Sequence, residues 1–196
     1  MKTVSPITDL DDVKAIYRRF IKWDKHREAE LVIFSCNVAL RISDILQLKF
    51  NDINLVEINN KTIGVIELEE KKTRKHKKLT INQSAMDSIA RLKEINPSGI
   101  YLFEGVGNRT KGIPKPISRQ YVSTQLIAVK ESLGLTYRLN THSFRKTFGY
   151  HAYKRGTDIN VLQKLFNHSS VSETFKYIGI TDERVREVYL NIEIGL

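Results

Sequence analysis

KTIGVIELEEKKTRKHKKLTI, residues 61–81, is the stretch where the helical rhythm of this chain gives way to a strand rhythm. Its first part, KTIGVIEL (61–68), is β-branched and partly alternating, as in a half-buried strand. KLTI (78–81) has the same character, and the residues between are polar and basic. The two parts therefore read as an antiparallel hairpin with a charged tip. On both sides, helix signals return. Upstream, a helix is expected over about 10–22, capped by Thr8 or Asp9, and a mostly buried one over about 27–36. Ser43 is placed to cap DILQL (44–48), with Asp44 in the first turn. Arg41 then falls in the tight connection between two helices. Downstream, helices are expected over about 83–95 and, after a loop at Pro114–Pro116, over about 118–133 with Gly134 closing it. Asn140 or Thr141 caps the next, which Gly156 ends. Asp158 caps another that reaches Phe166. Ser170 and Glu173 fit a capping box for a helix carrying Tyr177. A last amphipathic segment begins at Thr181, with Val185, Val188 and Tyr189 on its apolar side. The fold class is mainly α with a small antiparallel β-sheet, an α+β protein.

A length of 196 residues fits one domain with a substantial core. With 41% hydrophobic and 28% charged residues, the composition is that of a globular chain. The formal net charge of +10 favours a polyanion, nucleic acid before an acidic membrane surface, without setting the fold. The single cysteine, Cys36 in LVIFSCNVAL, cannot close an internal disulfide, and its apolar neighbours make it a buried structural thiol. MKTVSPITDLDD lacks an apolar signal core, and no apolar run approaches the roughly 20 residues of a membrane span. A cytoplasmic protein with no membrane partner is expected. No repeat, low-complexity tract or linker divides residues 1–196.

His142 and Arg145 in THSFRKTFGYH (141–151) are three apart, so a helix presents them on one face. They fall in a first turn, where free backbone N–H groups favour an anion. Taken alone, the pair is read more simply as a capped helix with a surface arginine and a partly buried histidine. Arg41 sits in apolar ALRISDILQL (39–48), where a guanidinium needs a partner. Asp44 is the local candidate, either tying the turn or orienting Arg41 towards a phosphate. Six of the eight residues from Lys71 to Lys78 are Lys or Arg, a density suited to a nucleic-acid backbone. Lys72 precedes Thr73 at the start of the turn, where a hairpin can aim it inward. His168 and Tyr177 in FNHSSVSETFKYI (166–178) are nine apart. On one continuous helix they would point oppositely, so they can meet only across a bend at Ser169–Ser170. None of the five histidines has zinc-site spacing beside a second cysteine or a carboxylate cluster. There is no Gly-rich phosphate loop. Neither metal nor cofactor is expected.

In order and context these elements agree with one pattern. LRISDILQL around Arg41, the KKTRKHKKLTI hairpin with Lys72, THSFRKTFGYH with His142 and Arg145, LFNHSS with His168, and Tyr177 in FKYI together resemble the catalytic domain of the tyrosine recombinases, or phage integrase family. The resemblance runs from about Ile7 to the tail. It implies the fold of that catalytic domain and a site-specific recombinase that cleaves and rejoins duplex DNA. Tyr177 would be the nucleophile, giving a 3′-phosphotyrosyl link and a free 5′-hydroxyl. Arg41 and Arg145 would hold the non-bridging oxygens, where charge grows in the transition state. Lys72 would protonate the leaving 5′-oxygen. His142 would take or relay the tyrosine proton, His168 would donate to the phosphate, and Asp44 would orient Arg41. Lys71, Arg74, Lys75, Lys77 and Lys78 are the candidate DNA-backbone contacts.

Two positions depart from the family pattern. Asn167 stands where the family usually has Gly before the second histidine, and Ala39 where the first block often has Gly. The separate N-terminal DNA-binding domain common in the family is expected to be absent, with residues 1–196 forming the catalytic domain. The resemblance further implies a tetramer on paired DNA sites, from protomers that are monomeric when free. Residues 179–196 would then dock onto a neighbouring protomer, the alternative being a tail folded onto its own core. The competing functions are a silent DNA-binding module and a type IB topoisomerase-like relaxing enzyme.

Overall fold

Asp9 starts α1 (Leu10–Lys22) by accepting the Asp11 backbone N–H at 2.8 Å. Val13, Ile16 and Phe20 form the buried stripe of this helix. The computed structural model of the protein describes residues 4–69, 76–105, 113–180 and 190–193. Helix α2 (His26–Val38) is longer at both ends than expected and is buried on most sides. Two acids lie within it. Glu30, 2% exposed, accepts both Nε and Nη2 of Arg91 at 2.7 and 2.9 Å and the Tyr17 hydroxyl at 3.1 Å. Glu28 accepts from Arg27 at 2.5 Å and from the Tyr121 hydroxyl at 2.8 Å. These bonds make carboxylates tolerable in a central helix.

The helix closes at Ala39, whose φ of +52° is left-handed. Helix α3 (Ile42–Ile45) then starts two residues before the position expected from Ser43. Arg41 is the extended residue at its N-cap, and the Arg41 carbonyl accepts from Asp44 N–H at 2.9 Å and Ile45 N–H at 3.0 Å. That backbone closure forms the turn before the Ser43 side chain can act as a cap.

After a 3-10 turn (Phe50–Asp52) come three strands, β1 (Ile53–Ile58), β2 (Lys61–Glu69) and β3 (His76–Ile81). They pair antiparallel in the order β1-β2-β3, with Ile53 opposite Ile66 and Gly64 opposite Ile81. The expected hairpin is β2–β3. Strand β1 is an addition, joined to β2 through Asn59 and Asn60 at φ +51° and +58°. Two positive-φ residues make the primed turn that suits strand twist, and Asn tolerates it.

Helices α4 (Gln83–Ile95), α5 (Arg119–Leu133), α6 (Thr141–Lys154), α7 (Ile159–Phe166) and α8 (Val171–Ile178) follow. Asn82, Ser118, Asn140, Asp158 and Ser170 cap them, each accepting a first-turn N–H. The Glu173 carboxylate reaches Ser169 N–H at 2.9 Å, one residue ahead of the N-cap where a capping box would place it. A large core gathers Phe20, Phe34, Phe103 and Phe144, and a smaller one Ala39, Leu162, Phe166, Ile178 and Ile180. Helix α6 contributes Phe144 to the first and lays Gly149 against Phe166 and Ile178 of the second. Cys36 is half-buried against the large core rather than fully enclosed, and desolvation pushes its thiol pKa to about 12. Among the described residues no helix is long and apolar enough to cross a membrane. Val185, Val188 and Tyr189 lie outside the described residues.

Candidate active site

Helix α6 carries the centre of the site on its first two turns. The Asn140 side chain accepts the His142 backbone N–H at 2.8 Å, so this N–H is already occupied. One of the first-turn N–H groups expected to face an anion is therefore taken by the cap. His142 is half-buried and Arg145 is 4% exposed. Arg145 crosses to α7, donating from Nη2 to the Phe166 carbonyl at 3.2 Å, with its guanidinium carbon 5.1 Å from the Phe166 ring centre. It also lies 6.0 Å from the ring centre of Tyr177.

The bend between α7 and α8 brings the remaining two residues together. Asn167 caps α7 in the left-handed region at φ +56° and ψ +50°. The chain reverses there, and the His168 and Tyr177 rings meet edge to face with centres 4.8 Å apart. Phe166 packs against both, at 5.5 and 5.2 Å. Thr174 is fully buried, and its hydroxyl lies 3.2 Å from the Ser170 carbonyl and 3.1 Å from His168 Nδ1, which it serves as donor or acceptor according to the ring tautomer. With the Thr174 hydroxyl donating to Nδ1, the ring proton sits on Nε2, the nitrogen that can donate to an anion. The Tyr177 hydroxyl is buried and makes no hydrogen bond among the described residues.

The electrostatics tie Arg41 into the same group. Burial holds His142 below the ordinary histidine value, and Arg119, Arg145, Lys146 and Arg41 push it the same way. Burial also lowers His168; Glu173 opposes this, while Arg145, Arg41 and Lys146 add to it. Burial raises the Tyr177 hydroxyl, and Arg145 and then Arg41 pull it back. Both histidines are thus neutral near neutral pH in a strongly cationic cleft, and the cations favour the phenolate of Tyr177. Asp44, 3% exposed, follows Arg41 on α3.

The structure therefore brings together Arg41, His142, Arg145, His168 and Tyr177 from four elements. Lys72, Lys71, Arg74 and Lys75 lie outside the described residues, as does the Lys77 side chain. Lys78 is exposed on β3 and pairs at 2.7 Å with Glu67, its cross-strand neighbour. An exposed pair of this kind is weak enough for a phosphate to displace. Three members of the site were not singled out from sequence. Thr174 and Phe166 are ordinary helix residues in the linear chain. Lys146, 6% exposed, places Nζ 4.9 Å from the Tyr177 ring centre. Its signal was a charged residue inside the apolar face of THSFRKTFGYH. Among the described residues no group of three or more His, Cys, Asp or Glu could hold a metal ion.

Comparison with known proteins identifies the family. The profile of the phage integrase family matches residues 7–184. The Bacillus subtilis protein named probable integrase/recombinase YoeC is 38% identical over 189 residues, covering 96% of this chain and 97% of that one. A probable integrase/recombinase of Acholeplasma phage L2 is 32% identical over 150 residues, 76% of this chain and 48% of that one. The chain thus spans almost all of one curated relative and about half the length of another. In fold it is similar to the crystal structure of XerA recombinase, with a TM-score of 0.72 at 19% identity, covering 97% of this chain and 66% of that one. The XerH site-specific recombinase bound to its difH substrate gives a TM-score of 0.66 at 18% identity, covering 96% and 55%. With a profile match over most of its length and a relative of equal extent, the chain belongs to the phage integrase family, the tyrosine recombinases.

Proposed function

We propose that the protein is a site-specific recombinase that cleaves and rejoins duplex DNA with Tyr177 as nucleophile. The observation that supports this most directly is the meeting of Tyr177 and His168, 4.8 Å apart, beside the Arg145 guanidinium. The Tyr177 oxygen bonds to phosphorus and its proton passes to neutral His142. The bond from phosphorus to the 5′-oxygen breaks, and Lys72 gives that oxygen its proton. Arg41, Arg145 and His168 hold the non-bridging oxygens, and Asp44 orients Arg41. Fixed donors at those oxygens stabilise the transition state more than the ground state. Attack by a different 5′-hydroxyl reverses the steps and completes an exchange.

Lys71, Arg74, Lys75, Lys77 and Lys78 hold the DNA backbone around the scissile phosphate. The partners are double-stranded DNA and three further copies of the chain on two sites, with the segment from 179 docking on a neighbour. The reaction takes place in the cytoplasm, on the nucleoid. The DNA-bound state of the similar XerH recombinase supports a DNA partner here.

The test is covalent trapping. The protein and its Tyr177→Phe variant are incubated without metal with nicked duplexes from the DNA flanking its gene, then denatured. The expected result is a protein–DNA adduct from the unsubstituted protein alone, with DNA affinity equal in the two. Equal, tight binding with no adduct from either would instead favour a silent DNA-binding module.

A further inference from the structure

Lys146 is a buried cation to which this scheme gives no role. It is 6% exposed on α6, one residue after Arg145, and among the described residues it makes no hydrogen bond or ion pair. Burial alone lowers its pKa from the ordinary lysine value. Burying an ammonium without a carboxylate is costly, and an apolar side chain of similar length would fill the same space without that cost. What the ammonium does face is the Tyr177 ring, with Nζ 4.9 Å from its centre.

We propose that Lys146 is a positioning residue for Tyr177, holding the ring in the cleft and stabilising the phenolate form of the nucleophile. The inference rests on the assignment of Tyr177 as nucleophile. A cation near a neutral ring meets only its quadrupole. The same cation beside a phenolate meets a full negative charge spread over the oxygen and the ring carbons. The contact therefore strengthens as the hydroxyl loses its proton, which is the property a rate-enhancing interaction needs. Arg145 and then Arg41 pull on the Tyr177 hydroxyl in the free protein, but a bound phosphodiester takes up much of their charge. Lys146 packs on the ring and keeps its field for the nucleophile. The tyrosine proton still goes to His142, and Lys146 retains its own throughout.

The test compares single-turnover adduct formation on nicked duplex for the unsubstituted protein, Lys146→Met and Lys146→Arg. Each is made with tyrosine or with a more acidic, ring-fluorinated tyrosine at position 177. Met suits the buried stem, so Lys146→Met is expected to melt at or above the parent temperature. It should nevertheless cleave about 10- to 100-fold more slowly, with unchanged DNA affinity. Lys146→Arg should recover most of that rate, and so should fluorination of Tyr177 in the Met variant. Lys146→Gln replaces the Met variant if the latter fails to fold. A neutral variant cleaving within a factor of about two of the parent overturns the proposal, as does a deficit that neither Arg nor fluorination repairs. If the unsubstituted protein itself forms no Tyr177-dependent adduct, the recombinase assignment fails, a different outcome from failure of Lys146 alone.

Discussion

Asn167 decides where the last two site residues point. At φ +56° it holds a backbone conformation that a β-branched residue strongly resists, and it is exposed at the end of α7. Its side chain tolerates the bend. Asn167→Gly is expected to keep the bend and adduct formation. Asn167→Val should lose about 1–2 kcal/mol in urea denaturation and form adduct more slowly, because the bend that joins His168 to Tyr177 becomes strained. An unchanged urea midpoint in the Val variant would refute this account. Ala39 shares the left-handed conformation at φ +52°, but its methyl is 1% exposed within the smaller core. In Ala39→Gly, relief of strain is therefore offset by lost burial. Arg41, His142, Arg145, His168 and Tyr177 were legible because charged and aromatic residues recur in a known order. Thr174 was not, since a threonine that holds a histidine ring looks like any other helix residue until the bend is formed.

At the level of elements, the site depends on how closely α6 lies on α7 and α8. Gly149 makes that approach possible. A Cβ there would sit 2.6 Å from Ile178 Cγ2 and 2.6 Å from Phe166 Cζ. Gly149→Ala must push apart the two helices that carry Arg145 and Tyr177. The expected cost is about 1–3 kcal/mol, as for other overpacked cores. Adduct formation should fall further than stability does, because Phe166 contacts both His168 and Tyr177. Thermal melts and trapping on the same variant measure the two effects separately, and full activity with a lowered melting temperature would contradict the link. The starts of α1, α6, α7 and α8 were legible because Asp9, Asn140, Asp158 and Ser170 satisfy backbone donors locally. Strand β1 was not, because Leu55 is 62% exposed and the strand has no alternating buried face. The Asn59–Asn60 pair was its one readable signal.

For the whole molecule, the concentration of cations around two half-buried histidines makes stability depend on pH. Burial, reinforced by neighbouring cations, holds His142 and His168 below the ordinary value of 6.5. Between that value and the folded one, the unfolded chain binds more protons than the folded chain. The histidines' contribution is therefore complete above about pH 6.5 and is lost as pH falls through their folded values. Urea midpoints should drop between about pH 7.5 and pH 5.5, and His142→Asn with His168→Asn should flatten that dependence. The lowered carboxylates Asp11 and Asp158 titrate in the acid range beneath this window and do not produce the drop. A midpoint independent of pH in the parent protein would show that the histidines are not held neutral.

Local sequence settled the class of the fold, the starts of the side-chain-capped helices, the β2–β3 hairpin and the identity of five residues that converge. Each of these depends on side chains acting over a few neighbouring positions, through caps, periodicity or motif order. Tertiary structure alone decided which groups Tyr177 meets. The contact of Gly149 with the smaller core and the burial of Lys146 against the Tyr177 ring join segments on different helices of the chain. Their physical basis is exclusion of water from a shared cleft, which lowers two histidines and one lysine and raises one tyrosine together. Burial of that kind belongs to the packed molecule and to no single stretch of sequence.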